Sequence, residues 1–145
     1  RSNFQTYYTN FMDCEMTYVK DRRHASVIIC LKIKEKKGVF MENILNEVLQ
    51  PGVQIAYAKD SIVSKIIYKN EHAILTLFAL DKGQSIAEHV TPFDAMVQIL
   101  EGEAELTIGG EKKVVKQSEG IIMPAHVPHA LFAKTAYKML LIMMK

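Results

Sequence analysis

The chain has 145 residues and a mass of 16.5 kDa, one domain's worth, so an enzyme of two doubly wound lobes is excluded. Hydrophobic residues make up 49% and the formal net charge is +2, which excludes disorder for most of the chain and gives nucleic-acid binding no electrostatic case. No uncharged apolar run approaches the ~20 residues of a membrane span.

No secretory leader follows Arg1, and Cys14 and Cys30 match no zinc or redox spacing. A reducing cytoplasm is therefore expected, with neither a membrane nor a nucleic acid as partner. The charge is uneven. Residues 1–40 hold eight Lys/Arg against four Asp/Glu, a balance of +4, and residues 41–145 hold ten against twelve, a balance of −2. Two segments follow: an N-terminal arm over 1–40 and a folded domain over 41–145.

The arm opens on Phe4, Tyr7, Tyr8 and Phe11 without a clear period. Lys20, Arg22, Arg23 and His24 read as a solvated loop rather than an RNA patch, since no aromatic platform accompanies them. Ser26 to Lys34 reads as a strand, with Val27, Ile29, Leu31 and Ile33 on one face. Such a strand outside the domain invites pairing, and a homodimer is expected in which the arm adds to a sheet of the partner. Lys36-Lys37-Gly38-Val39-Phe40-Met41 can be encoded by a purine-rich AAAGGAG tract just ahead of an ATG. The expectation is that translation naturally starts at Met41 and that 1–40 reflect an over-long gene model. The alternative is that codon degeneracy permits this by chance.

Met41, Ile44, Leu45, Val48 and Leu49 recur at helical spacing, which predicts a short helix stopped by Pro51-Gly52. The rest reads as strands: 53–58, 62–68, 73–80, 95–100, 104–108, 114–115, 121–123, 130–133 and 137–144. Gly109-Gly110 marks a hairpin turn. Many short strands at this spacing predict an all-β sandwich or closed barrel.

The stretch from Gly83 to Ala133 resembles the cupin superfamily, in particular its small single-domain bacterial members with a conserved barrel. Gly83, five residues, His89-Val90-Thr91, then Ala95 and Gly102 fall in the places of the first cupin motif. Pro124-Ala125-His126-Val127-Pro128-His129 falls on the end of the second. Its glycine is displaced, with Ser118 at the motif spacing and Gly120 two residues on. Pro92-Phe93-Asp94-Ala95 matches a segment common in the small cupins. The resemblance covers roughly Val53 to Met144. It implies a jelly-roll antiparallel β-barrel with one short N-terminal helix and a strand-bearing arm.

The resemblance also implies a metal site of three histidines and a glutamate, from which this chain departs. The second histidine is Thr91 and the glutamate is Ala95. His89 and His129 remain, with His126 as a candidate third ligand where the motif has glycine. Either no cofactor or a weakly bound divalent ion (zinc, nickel, iron or manganese) is expected. By period two, His89 and Thr91 share a strand face at the barrel mouth. Asp94 is expected in a turn or cap. Glu88 and Glu101 read as solvated strand-edge charges, Glu103 and Glu105 as the polar face of a hairpin, and His72 as a surface residue. Met96, Met123, Met139 and Met143 suggest a pocket lined partly by methionine. The expected ligand-binding residues are His89, Thr91, His129 and Met96. The expected function is binding of a small molecule, such as a sugar acid or other carboxylate. The alternatives are a metal-dependent isomerase, lyase, decarboxylase or dioxygenase, and a barrel serving as a dimerisation scaffold.

Overall fold

A computed structural model describes residues 27–30 and 44–145 of the chain. The elements are β1 (Val27–Cys30), a 3-10 turn (Pro51–Val53), β2 (Ser61–Lys69), β3 (Ala73–Leu80), β4 (Ser85–His89), β5 (Asp94–Glu101), β6 (Glu103–Ile108), β7 (Glu111–Lys116), β8 (Gly120–Met123), β9 (His129–Phe132) and β10 (Tyr137–Met144). They form a six-stranded sheet in the order β1-β2-β3-β10-β5-β8 and a four-stranded sheet in the order β4-β9-β6-β7. Every described pairing is antiparallel except that of β1 with β2. No described helix is long and apolar enough to cross a membrane.

The inner faces of the two sheets make the main core. Ile62, Phe78, Leu80, Ala95, Val97 and Ile99 from the larger sheet meet Ala104, Leu106, Val115 and Leu131 from the smaller. Alternation along β5 shows how this is achieved: Ala95, Val97 and Ile99 are buried while Met96, Gln98 and Leu100 turn outward. Met96 is therefore not in the barrel interior, which corrects its expected place in the ligand pocket. It lies cross-strand from Ile122 and Ile142 on the outer face. Met123, Met139 and Met143 are buried as expected.

β3 carries a near-continuous apolar run because both its faces are covered. Phe78 and Leu80 face the core between the sheets, and Leu77 and Ala79 face a second cluster on the outside. The lid of that cluster is the chain before β2, with Ile55 and Tyr57 packed over Leu77, Ala79 and Leu140. Residues 53–58 are thus no strand, although they read as one. Their apolar side chains cover a sheet face rather than extend a sheet edge.

A small polar knot pins this strap. The Tyr57 hydroxyl donates to Glu101 Oε1 at 3.2 Å, and Lys138 Nζ lies 3.1 Å from Glu101 Oε2. Lys138 also donates to the Gly52 carbonyl at 2.9 Å and sits 5.1 Å from the centroid of the Tyr57 ring. Burial, aided by the neighbouring Glu101 charge, pushes the Tyr57 hydroxyl up to about 12. Glu101 is the exposed strand-end charge expected, and it is also a partner in this knot.

The helix expected over 41–49 is absent from its described part. Residues 44–47 make a turn, closed by the Glu47 N–H on the Ile44 carbonyl at 3.4 Å. The described part of the apolar stripe is poorly covered: Leu45 and Val48 are exposed, and Ile44 and Leu49 are only half-buried. So short a helix does not form without burial to offset its nucleation. β1 runs parallel to β2, from Val27 beside Ser61 to Cys30 beside Ser64, so the arm strand joins the sheet of its own chain. The aromatic start, the basic 20–24 cluster and the proposed start at Met41 lie outside the described residues.

Candidate functional site

The site begins with an irregularity in β4. Ser85 pairs with Phe132 and Ile86 with Leu131, and the next pair is His89 with His129. Ala87 and Glu88 therefore stand opposite Ala130 alone, which is a β-bulge. Without it, Ile86 and His89 would point to opposite faces, because they are an odd number of residues apart. The extra residue restores His89 to the inner face that Ile86 already occupies. Bulges re-aim side chains in this way beside functional sites. His129 and Leu131 share the inner face of β9 by ordinary alternation, both buried.

The two imidazoles meet edge to face, with ring centroids 4.3 Å apart and planes at 64°. His129 is only 2% exposed, whereas His89 lies at the open rim. Each ring is fixed by the same local device. His89 Nδ1 is 2.8 Å from the Ala87 carbonyl oxygen, and His129 Nδ1 is 2.9 Å from that of Val127. Loss of hydration, the largest cause, holds His89 below the ordinary histidine range. The Ala87 carbonyl opposes that shift, and repulsion from His129 adds to it.

Around the pair, the turn at 124–128 is stitched to the loop at 91–94 by two hydrogen bonds. The Ala125 N–H donates to Asp94 Oδ1 at 2.7 Å, and the His126 N–H donates to the Thr91 carbonyl at 2.8 Å. Asp94 thus has the turn role expected of it. His126 is exposed and takes a left-handed backbone, φ 61°, in the place where the cupin motif has glycine. Ser118, at the other glycine place, is left-handed as well, with φ 68°.

Thr91 departs from expectation. β4 stops at His89, so Thr91 shares no strand face with it, and its hydroxyl donates to the Phe93 carbonyl at 3.0 Å. Ala95, at the glutamate place, is buried and offers no donor atom. Among the described residues no three His, Cys, Asp or Glu side chains gather into a group that could hold a metal. Two imidazoles alone do not fit a tightly held divalent ion, which in catalytic zinc sites usually has three protein ligands. Sequence reasoning missed the bulge, which no glycine or proline marks. It also missed Ala87 and Val127, whose carbonyls orient the two rings.

The comparisons with known proteins agree with this framework. The family model described as "Cupin domain" matches residues 76–144. A conserved protein of unknown function from Streptococcus pyogenes is 41% identical, with a TM-score of 0.65 over 69% of this chain and 88% of that one. A cupin 2 conserved barrel domain protein from Leptotrichia buccalis is 35% identical, with a TM-score of 0.63 over 65% of this chain and 46% of that one. The chain thus spans under half the length of that protein. A cupin superfamily protein from Desulfitobacterium hafniense is 26% identical, with a TM-score of 0.64 over 68% and 91% of the two chains. No curated protein matches the chain. The fold, the motif residues and the Streptococcus relative together make this chain a member of the cupin superfamily.

Proposed function

We propose that this cupin binds a small molecule at the open end of its barrel, against His89 and His129. One observation carries the reading: the bulge in β4 turns His89 inward to face His129 across the β4–β9 pair. On the other sheet Ala95, Met123 and Met143 are buried cross-strand neighbours, with Met123 ending β8 just before the 124–128 turn that leads to His129. Concave apolar surroundings with a few fixed polar groups suit a small ligand.

The donor set favours binding over metal chemistry. The test is elemental analysis of protein purified without chelator. Metal well below one equivalent per chain is the expected result. A full equivalent, lost in both His89→Ala and His129→Ala, would overturn it and put a metal-dependent enzyme first. We also propose a homodimer. β8 is a sheet edge, and it exposes Ile122 on the face that carries Met96, an arrangement that invites pairing. A monomer by light scattering at micromolar concentration refutes this part alone.

A further inference from the structure

We infer that two copies of this chain join their larger sheets edge to edge, β8 against β8, about a two-fold axis at Ile121. The inference rests on the homodimer proposed above and names the strand and register that make it.

β8 ends the larger sheet on the side away from β1, and β4 and β7 end the smaller sheet. An exposed edge pairs with another chain unless charge, proline or a bulge blunts it. β7 carries Glu111, Lys112, Lys113 and Lys116, and β4 carries Glu88 and the bulge. β8, Gly120-Ile121-Ile122-Met123, has no charge, and its pairing with β5 runs without a shift. A two-fold axis sets an antiparallel strand against itself. An uncharged strand is complementary to its own copy, whereas one rich in lysine sets like charges together.

The backbone selects the register. The Ile99 N–H donates to the Glu119 carbonyl at 2.9 Å, and the Ile99 carbonyl accepts from the Ser118 N–H at 2.9 Å. Ile99 thus turns both its groups toward the β8 side. By antiparallel alternation Val97 and Ala95 do the same, toward Ile121 and Met123 opposite them. Gly120 and Ile122 are left with N–H and C=O aimed at the open edge. Both residues are exposed, Ile122 by 57%. A two-fold at Ile121 sets Gly120 of each copy opposite Ile122 of the other, where the two residues exchange N–H···O=C bonds in both directions. A two-fold at Ile122 would set Gly120 opposite Pro124, which has no N–H to give. The register at Ile121 also lays each Ile122 side chain beside a glycine of the second copy. It extends an outer row in which Ile122 lies next to Met96, and Met96 next to Ile142.

The experiment uses the full chain with Cys14 and Cys30 changed to serine and one cysteine introduced, oxidised at micromolar concentration and run on a non-reducing gel. In this register Ile121 faces itself in a non-hydrogen-bonded pair, with Cα atoms about 4.5 Å apart, inside the range of a disulfide. The two copies of residue 122 are offset along the strands, beyond the ~7 Å that a disulfide tolerates. The expected result is a covalent dimer for Ile121→Cys and none for Ile122→Cys. Without oxidation, Ile122→Lys should halve the mass of the unaltered chain in light scattering, and its melting curve reports whether it is folded. If the unaltered chain is a dimer, three results overturn the β8 pairing and leave the homodimer standing. These are no cross-link in Ile121→Cys, a cross-link in Ile122→Cys instead, or a folded Ile122→Lys that stays dimeric. A monomeric unaltered chain overturns both the pairing and the homodimer.

Discussion

Gly102 joins β5 to β6 at the end of the barrel away from the histidines, and its replacement by alanine tests how closely that corner is built. Its φ is +78°, and a Cβ there would lie 2.6 Å from the Ala136 carbonyl oxygen and 3.1 Å from Tyr137 Cβ. Two costs add. An L-residue in the left-handed region costs about 1–2 kcal/mol. The contact with backbone forces a shift of a packed corner, and overpacking of this kind costs about 1–3 kcal/mol. Against them stands about 0.4–1 kcal/mol gained by restricting the unfolded chain. The net for Gly102→Ala is about 2–4 kcal/mol of lost stability. Gly110 provides the control, because its φ is +84° but nothing lies within 4 Å of the added Cβ. Gly110→Ala should cost about 1 kcal/mol or less, from the backbone term alone. Urea denaturation of the two variants measures the difference. Equal midpoints would show that the corner yields freely and that the close approach to Ala136 is no constraint.

Gly110→Val should lose more than about 1 kcal/mol, since Gly109 and Gly110 both have positive φ, as a two-residue hairpin turn requires, and a β-branched residue is strained there; an unchanged urea midpoint would refute the turn's importance. Lys138→Met removes the tie to the Gly52 carbonyl and Glu101, and should cost about 1–2 kcal/mol, discounted for the solvent exposure of Glu101, while making residues 44–58 more open to limited proteolysis. An unaltered cleavage pattern would show that the strap holds by its apolar side chains alone. Tyr137→Phe deletes a buried hydroxyl that has no partner among the described residues, so its melting temperature should stay level or rise; a clear drop would reveal a partner for that oxygen. The lowered His89 means stability is complete above the unfolded value near 6.5 and is lost as pH falls through the lower folded one. His89→Gln should flatten that acid slope, and an identical pH profile would deny the partly desolvated ring its role.

Much of the fold was legible because the strands that matter most carry the plainest patterns. Both β3 and β10 were bounded correctly from their apolar runs, and the Gly109-Gly110 turn from its dipeptide. The strap over 50–58 was not legible, since an apolar run that lids a sheet reads the same as one that pairs with it. The direction of Met96 was available in principle, because Gln98 shares its parity and marks that side of β5 as the outer one. The aim of His89 followed from its place in the motif and not from alternation. Simple alternation through Ser85-Ile86-Ala87-Glu88-His89 places the ring outside, and only the pairing register with β9 reveals the bulge that reverses it. Thr91 was misplaced for the same reason, since counting by twos carried the strand beyond its end.

The two glycine places filled by other residues show what this barrel has kept. Ser118 and His126 both hold the left-handed backbone that glycine would adopt without strain. The turn around His126 is held in that shape from outside, by the Ala125 N–H donating to Asp94 and the His126 N–H donating to the Thr91 carbonyl. The backbone frame of the motifs therefore survives where the glycines do not. The donor atoms of the metal site at Thr91 and Ala95 do not survive, and nothing in the turn replaces them. A frame held against strain around two imidazoles, with the rest of the metal shell gone, is organised to position those rings. The carbonyls of Ala87 and Val127, each bonded to an Nδ1, fix the orientation of the two rings within that frame.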